Sequence, residues 1–146
     1  MNRKEFIRNV GFTCVGGTVA VALLQSCTST SYFAQNVMAN NQIVVKKAEF
    51  VKIEKDKTLQ RKYVLVKNDR YNFPIYICKI NEDSYAALLM QCTHKGCELK
   101  PSGDHLSCPC HGSEFSNRGV VQNPPAEENL KIFPLTTDNE NIYIQL

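Results

Sequence analysis

The 146-residue sequence has no tryptophan, only three histidines and no block of like charge. With 17 basic and 14 acidic residues it lacks the basic stripe of a nucleic-acid binder, so nucleic acid is not an implied partner. No apolar run reaches the ~20 residues that a membrane span requires. The longest, Val10–Leu24, has 15. A long helical stripe is also missing from residue 28 onward, which argues against a helical bundle. Cysteine, by contrast, is plentiful. Seven stand at 14, 27, 78, 92, 97, 108 and 110, and four of these crowd into residues 92–110 with His94 among them and His111 next to them. Such clustering marks a metal site, a disulfide, or both.

The first 27 residues read as a targeting segment. Arg3, Lys4 and Arg8 precede the uncharged run, the layout of a secretory signal. Leu24-Gln25-Ser26-Cys27 resembles a bacterial lipobox, in which cleavage leaves Cys27 as a lipid-bearing N-terminus. A retained membrane anchor is the alternative. Asn2 to Arg8 (NRKEFIR) resembles a twin-arginine signal with lysine in place of the second arginine, a route for proteins exported already folded around a cofactor. Either export route puts the domain in the bacterial cell envelope, membrane-anchored on the periplasmic side. Cys14 lies inside the signal and has no expected role. Residues 28–41 are uncharged and rich in Ser, Thr and Asn, and read as a tether. The folded domain is expected over 42–146.

Within that domain the pattern is short and β-rich. Ile43–Val45, Lys62–Lys67, Ile75–Ile80, Tyr85–Met90, Lys131–Leu135 and Ile142–Leu146 are bounded by turn residues such as Asn68-Asp69-Arg70 and Asn81-Glu82-Asp83. Tyr63, Val64, Leu65 and Val66 make both faces of one run apolar, as in a doubly covered strand. The expected class is all-β: an antiparallel sandwich or partly closed barrel with a small subdomain made of two loops.

Those loops read Cys92-Thr93-His94-Lys95-Gly96-Cys97 and Cys108-Pro109-Cys110-His111-Gly112-Ser113. Each offers a thiolate and an imidazole, C-x-H echoed by C-x-x-H. Gly96 and Gly112 allow tight bends and close backbone approach. Structural zinc accepts two Cys and two His but is usually spaced C-x₂₋₄-C with H-x₃₋₅-H, which these loops do not match. A framework of disulfides alone leaves both histidines unexplained. Cys78 lies in an apolar run and reads as a buried, inert thiol, and His105 as a surface residue.

The CTHxGC and CPCHGS boxes closely resemble those of the Rieske [2Fe–2S] family, in its high-potential, disulfide-containing group. The resemblance covers about residues 75–146. It implies that Cys92 and Cys108 bind the inner iron and His94 and His111 the outer one, with a Cys97–Cys110 disulfide clasping the loops. It also implies that the Ser113 hydroxyl donates to a cluster sulfide. Phe115 stands where respiratory members carry tyrosine, so a second donor is missing and a lower potential is expected. Gly112 and Pro124 complete the surroundings, since Asn123-Pro124-Pro125-Ala126 resembles the family's cluster-covering proline loop.

The implied function is one-electron transfer through a [2Fe–2S] cluster in an exported, tethered domain. The chain would be an electron-transfer protein or an oxidoreductase subunit, including the iron–sulfur subunit of a quinol-oxidising, cytochrome bc-type complex. A stand-alone ferredoxin is the alternative. Expected partners are cytochromes or membrane oxidoreductase subunits, quinol, and the membrane through a lipid anchor. Lys95 departs from the hydrophobic residue usual at its position and would cost energy to bury unpaired. It directs the tip toward an acidic or aqueous partner.

Overall fold

The computed structural model describes residues 31–146. The targeting segment, Cys14, Cys27 and the first tether residues lie outside the described residues. The described chain is a succession of short strands: β1 (Asn36–Ala39), β2 (Gln42–Lys46), β3 (Val51–Glu54), β4 (Lys57–Gln60), β5 (Tyr63–Val66), β6 (Ile75–Lys79), β7 (Tyr85–Leu89), β8 (Lys100–Ser102), β9 (His105–Ser107), β10 (Glu114–Ser116), β11 (Val121–Asn123), β12 (Ile132–Phe133), β13 (Leu135–Thr137) and β14 (Asn141–Gln145). One 3-10 turn, Lys47–Phe50, separates β2 from β3. Among the described residues no helix is long and apolar enough to cross a membrane.

The strands form three four-stranded sheets, ordered β1-β2-β14-β13, β12-β7-β6-β5 and β11-β10-β9-β8, and a separate β3–β4 hairpin. All pair antiparallel. The sheets remain open, so the sandwich expectation holds and no barrel closes. The chain changes sheet at Pro134, between β12 and β13. Proline has no N–H to give a ladder, which is why the run read as one strand over Lys131–Leu135 is two.

The β12-β7-β6-β5 sheet is the middle layer. Because side chains alternate along a strand, each of its central strands feeds two cores. Val64, Val66, Ile75, Ile77, Ala87 and Leu89 face one core, with Ile43, Val45, Ile142 and Ile144 opposite. Leu65, Tyr76, Cys78 and Leu88 face the other, against Leu106, Phe115 and Leu130 of the loop-bearing subdomain. Burial on both faces explains the unbroken apolar text of β5 and β6. Each such Val, Leu or Ile contributes roughly 1.5–3 kcal/mol by leaving water.

The fold starts earlier than residue 42. Tyr32 C=O accepts from Leu65 N–H at 2.9 Å, and Ala34 N–H donates to Leu65 C=O at 2.8 Å, so this segment runs parallel beside β5. Ala34 is buried in the first core. The β1–β2 hairpin turns on Asn40 and Asn41, both at positive φ (48° and 65°), a geometry Asn tolerates and tight hairpins require. Most of the stretch read as a tether over 28–41 is therefore, from Tyr32 on, part of the β-structure.

Gly119 closes the turn between β10 and β11 at φ +81°, where a Cβ would meet Leu88 Cδ2 at 2.9 Å. Strained backbone and overpacking act together in Gly119→Ala. We expect it to destabilise the domain by about 2–4 kcal/mol, read from chemical denaturation.

Candidate metal centre

The first loop leaves the end of β7, and the second leaves the end of β9. Their backbones are built alike. Gly96 N–H donates to Cys92 C=O at 2.8 Å, and Gly112 N–H to Cys108 C=O at 3.0 Å. Cys92 N–H donates to Cys97 C=O at 2.9 Å, and Cys108 N–H to Ser113 C=O at 2.8 Å. Both glycines sit at positive φ, +74° and +79°, where an L side chain is strained. The sequence echo is thus a structural repeat: two six-residue loops, each closed by the same pair of bonds.

The repeat sets the side chains in pairs. Cys92 and Cys108 are buried, unoxidised thiols. Burial pushes the Cys92 thiol up from its ordinary range, and the neighbouring Cys108 adds to that rise. The His94 and His111 rings meet edge to face with centroids 5.1 Å apart. His94 is half-buried and His111 exposed. Cys97 and Cys110 are joined in a disulfide with Cα atoms 6.5 Å apart, clasping one loop to the other. The sulfurs of Cys97, Cys108 and Cys110 lie within 4.8 Å of one another. Two of these are spent in the disulfide, so of the three only Cys108 keeps a sulfur free to ligate a metal. Two inner sulfurs and two outer nitrogens are a donor set that suits an iron pair with unlike ends.

A third segment covers the pair. Thr93 Oγ1 donates to Glu128 C=O at 2.7 Å, Asn123 Nδ2 to Gly112 C=O at 3.2 Å, and Ala126 N–H to Ser113 Oγ at 3.0 Å. The Pro124–Pro125 peptide within it is cis. Ser113 is fully buried, and Phe115 lies fully buried beneath it on β10. Pro124 is exposed, while Ala126 is the buried residue of this segment. Sequence reasoning found the segment but missed Thr93, Asn123 and Ala126 as its fasteners. Asparagine just before the prolines was the available signal.

Two cysteine-region readings resolve away from the loops. Cys78 is buried on β6, its thiol donating to Asn117 C=O at 3.1 Å and pushed up to about 11, chiefly by burial. It should resist alkylation in native protein near pH 8 and react only after unfolding, as counted by mass spectrometry. His105 pairs loosely with Asp104 at 3.5 Å, at the opposite end of β9 from Cys108.

Comparison with known proteins agrees with this geometry. The Rieske [2Fe-2S] domain family matches residues 36–134. The iron–sulfur subunit of the cytochrome b6-f complex of Synechococcus sp. (strain CC9605) is 29% identical over 75 residues, covering 49% of this chain and 42% of that protein. The ubiquinol-cytochrome c reductase iron–sulfur subunit of Rickettsia felis is 38% identical over 61 residues, covering 40% of this chain and 34% of that protein. The chain thus spans less than half the length of these curated relatives. Among solved structures, the cyanobacterial plasma membrane Rieske protein of Synechocystis PCC 6803 superposes with a TM-score of 0.52 at 25% identity, over 58% of this chain and 87% of that one. By the extent of the family match and the paired loops it falls on, this chain belongs to the Rieske [2Fe–2S] family and carries one-electron transfer through a [2Fe–2S] cluster.

Proposed function

We propose that Cys92 and Cys108 hold the inner iron and His94 and His111 the outer one, in an exported, membrane-tethered carrier that passes electrons at its His111 side to a protein on the aqueous face. The paired loops carry this reading: they set two buried thiols behind two imidazoles, one of which is exposed. When bound, the cluster supplies reversible one-electron chemistry at a potential of ~ −150 to +300 mV, high because two neutral imidazoles replace two thiolates.

The chain's own residues do the rest. The disulfide and the three fasteners hold the loops at fixed separation. Buried Cys92, Cys108 and Ser113 keep water from the inner side. Exposed His111 provides the contact edge. In the two loops and the segment that covers them, Thr93, Lys95, Asn123, Glu127 and Glu128 are exposed and polar. No exposed large apolar side chain of the described residues lies in either loop. Lys95 makes no ion pair among the described residues. A polar tip of this kind suits a soluble or aqueous-facing partner better than an apolar pocket. The second reading, an iron–sulfur subunit of a quinol-oxidising complex, is favoured by the names of the curated relatives. Affinity capture from detergent-solubilised membranes separates them. Recovery of a water-soluble cytochrome supports the first reading, and stoichiometric recovery of integral cytochrome subunits the second.

Ser113 tunes the site. Ala126 N–H occupies the acceptor side of its oxygen, which leaves the hydroxyl hydrogen for the cluster. A hydrogen bond to the more negative, reduced state is worth about 1 kcal/mol more than to the oxidised state, or ~40 mV for one electron. Ser113→Ala should lower the potential by about that amount in a redox titration. Phe115→Tyr should raise it by a similar amount, the new hydroxyl supplying a second donor to the sulfurs of the centre.

A further inference from the structure

The end of the domain opposite the paired loops carries a feature that the electron-transfer site does not use. The β3–β4 hairpin bonds to no other sheet. From Lys52 to Gln60 every residue is exposed. Two-stranded ribbons are marginal alone. This one is fastened at its base by Arg61, whose guanidinium donates to Glu49 C=O at 3.0 Å and Val51 C=O at 2.6 Å while lying 3.7 Å over the Tyr32 ring. Its turn holds Lys55 and Asp56 at positive φ. The ribbon adds nothing to either core, yet it displays Ile53 at 79% exposure and Leu59 at 46%.

The charge on this feature is one-sided. Lys52, Lys55, Lys57, Arg61 and Lys62 are opposed by Glu54 and Asp56 alone within the hairpin and its base. The Lys52–Glu54 pair at 2.8 Å is exposed and weak. Beside the hairpin is a groove of about 760 Å³ whose lining includes Lys52, Arg61, Lys62, Tyr63 and Ser102. None of its lining residues is acidic. Glu49 stands behind it, accepting from Tyr32 OH, and Asp104 stands at its rim.

Ser31 also lines this groove. The chain therefore enters the fold here, four Cα steps after Cys27, a reach of at most ~14 Å. Strand register puts this entry far from the cluster loops. Tyr63, Cys78 and Ala86 mark one end of the middle sheet, and Val66, Ile75 and Leu89, from which the first loop departs, mark the other. The β8–β9 turn is likewise at the groove, and Ser107, leading to Cys108, at the opposite end.

We propose that the β3–β4 hairpin and its groove dock on the headgroup layer of an anionic bilayer, which turns the cluster loops away from the membrane. The lysines meet lipid phosphates, and Leu59, which the register sets on one face with Lys52 and Lys57, enters the interface. The orientation rests on the membrane-tethered reading above; the docking surface rests on the hairpin itself.

The test uses the mature, cluster-loaded protein with vesicles of phosphatidylcholine alone, and of phosphatidylcholine with roughly one-third phosphatidylglycerol. Flotation reads attachment and amide hydrogen exchange reads the contact face. Three net charges favour the anionic surface on the order of 100-fold at low salt. Amides of residues 51–62 should therefore exchange at least about tenfold more slowly on phosphatidylglycerol vesicles than on neutral ones. The loops at 92–97 and 108–112 should be unchanged. The combined Lys52→Glu, Lys57→Glu and Lys62→Glu variant should lose the difference while keeping the cluster spectrum. Flotation on both vesicles with no hairpin difference overturns docking and leaves the anchor standing. Flotation only on phosphatidylglycerol vesicles, reversed by salt, supports docking and overturns the anchor. Flotation on neither overturns both. Protection already present on neutral vesicles places the chain's own N-terminal residues in the groove and overturns the proposal, as does protection of the cluster loops.

Discussion

Cys108→Ser is expected to yield a folded, colourless domain with iron below about one-tenth of the wild-type content. Cys108 is buried, unoxidised and close to the disulfide. A serine oxygen there is a harder and far less acidic donor than sulfur, so it cannot replace a thiolate on iron. His111→Ser should empty the site as well, because its one histidine neighbour, His94, is already assigned to the same iron, and His105 is at the far end of β9. Iron analysis, visible absorption and low-temperature paramagnetic resonance after reduction read both variants. Circular dichroism shows whether the sheets persist. Wild-type iron and spectra in either variant would remove the ligand assignment altogether.

The second large effect concerns the clasp. Cys97 and Cys110 are 13 residues apart. Cross-linking a loop of that length is worth about 3 kcal/mol against the unfolded chain. The Cys97→Ser/Cys110→Ser double variant should lose that amount in urea unfolding of the holoprotein, with cluster bleaching moved to lower denaturant. The double variant is the proper probe. A single replacement would leave a free thiol within 4.8 Å of Cys108, where it could compete for iron. Unchanged stability in the double variant would mean the three side-chain fasteners alone hold the loops together.

Chemistry was the most readable part of this sequence. The four ligand candidates lie in two local loops, and their spacing is imposed by backbone bends that Gly96 and Gly112 make possible. The long apolar strands were readable as well, because β5 and β6 are covered on both faces. The misses share a cause. β1, β3, β4 and β8 are short and mostly exposed, so no burial pattern is written into them. The Asn40-Asn41 hairpin hides within a polar stretch that composition alone assigns to a linker. The Lys55-Asp56 turn uses a residue seldom found at positive φ. Thr93, Asn123 and Ala126 act through partners 35, 11 and 13 residues away, and only the assembled fold brings those together.

The middle sheet is a party wall. Each side chain of β6 leans on one compartment while its neighbour leans on the other, so neither compartment can be emptied without stripping the wall that the second one needs. Damage near the loops should not stay there. It should reach the remote sheet as loss of a shared boundary, and the molecule should fail as one piece rather than shed its redox end and keep the rest.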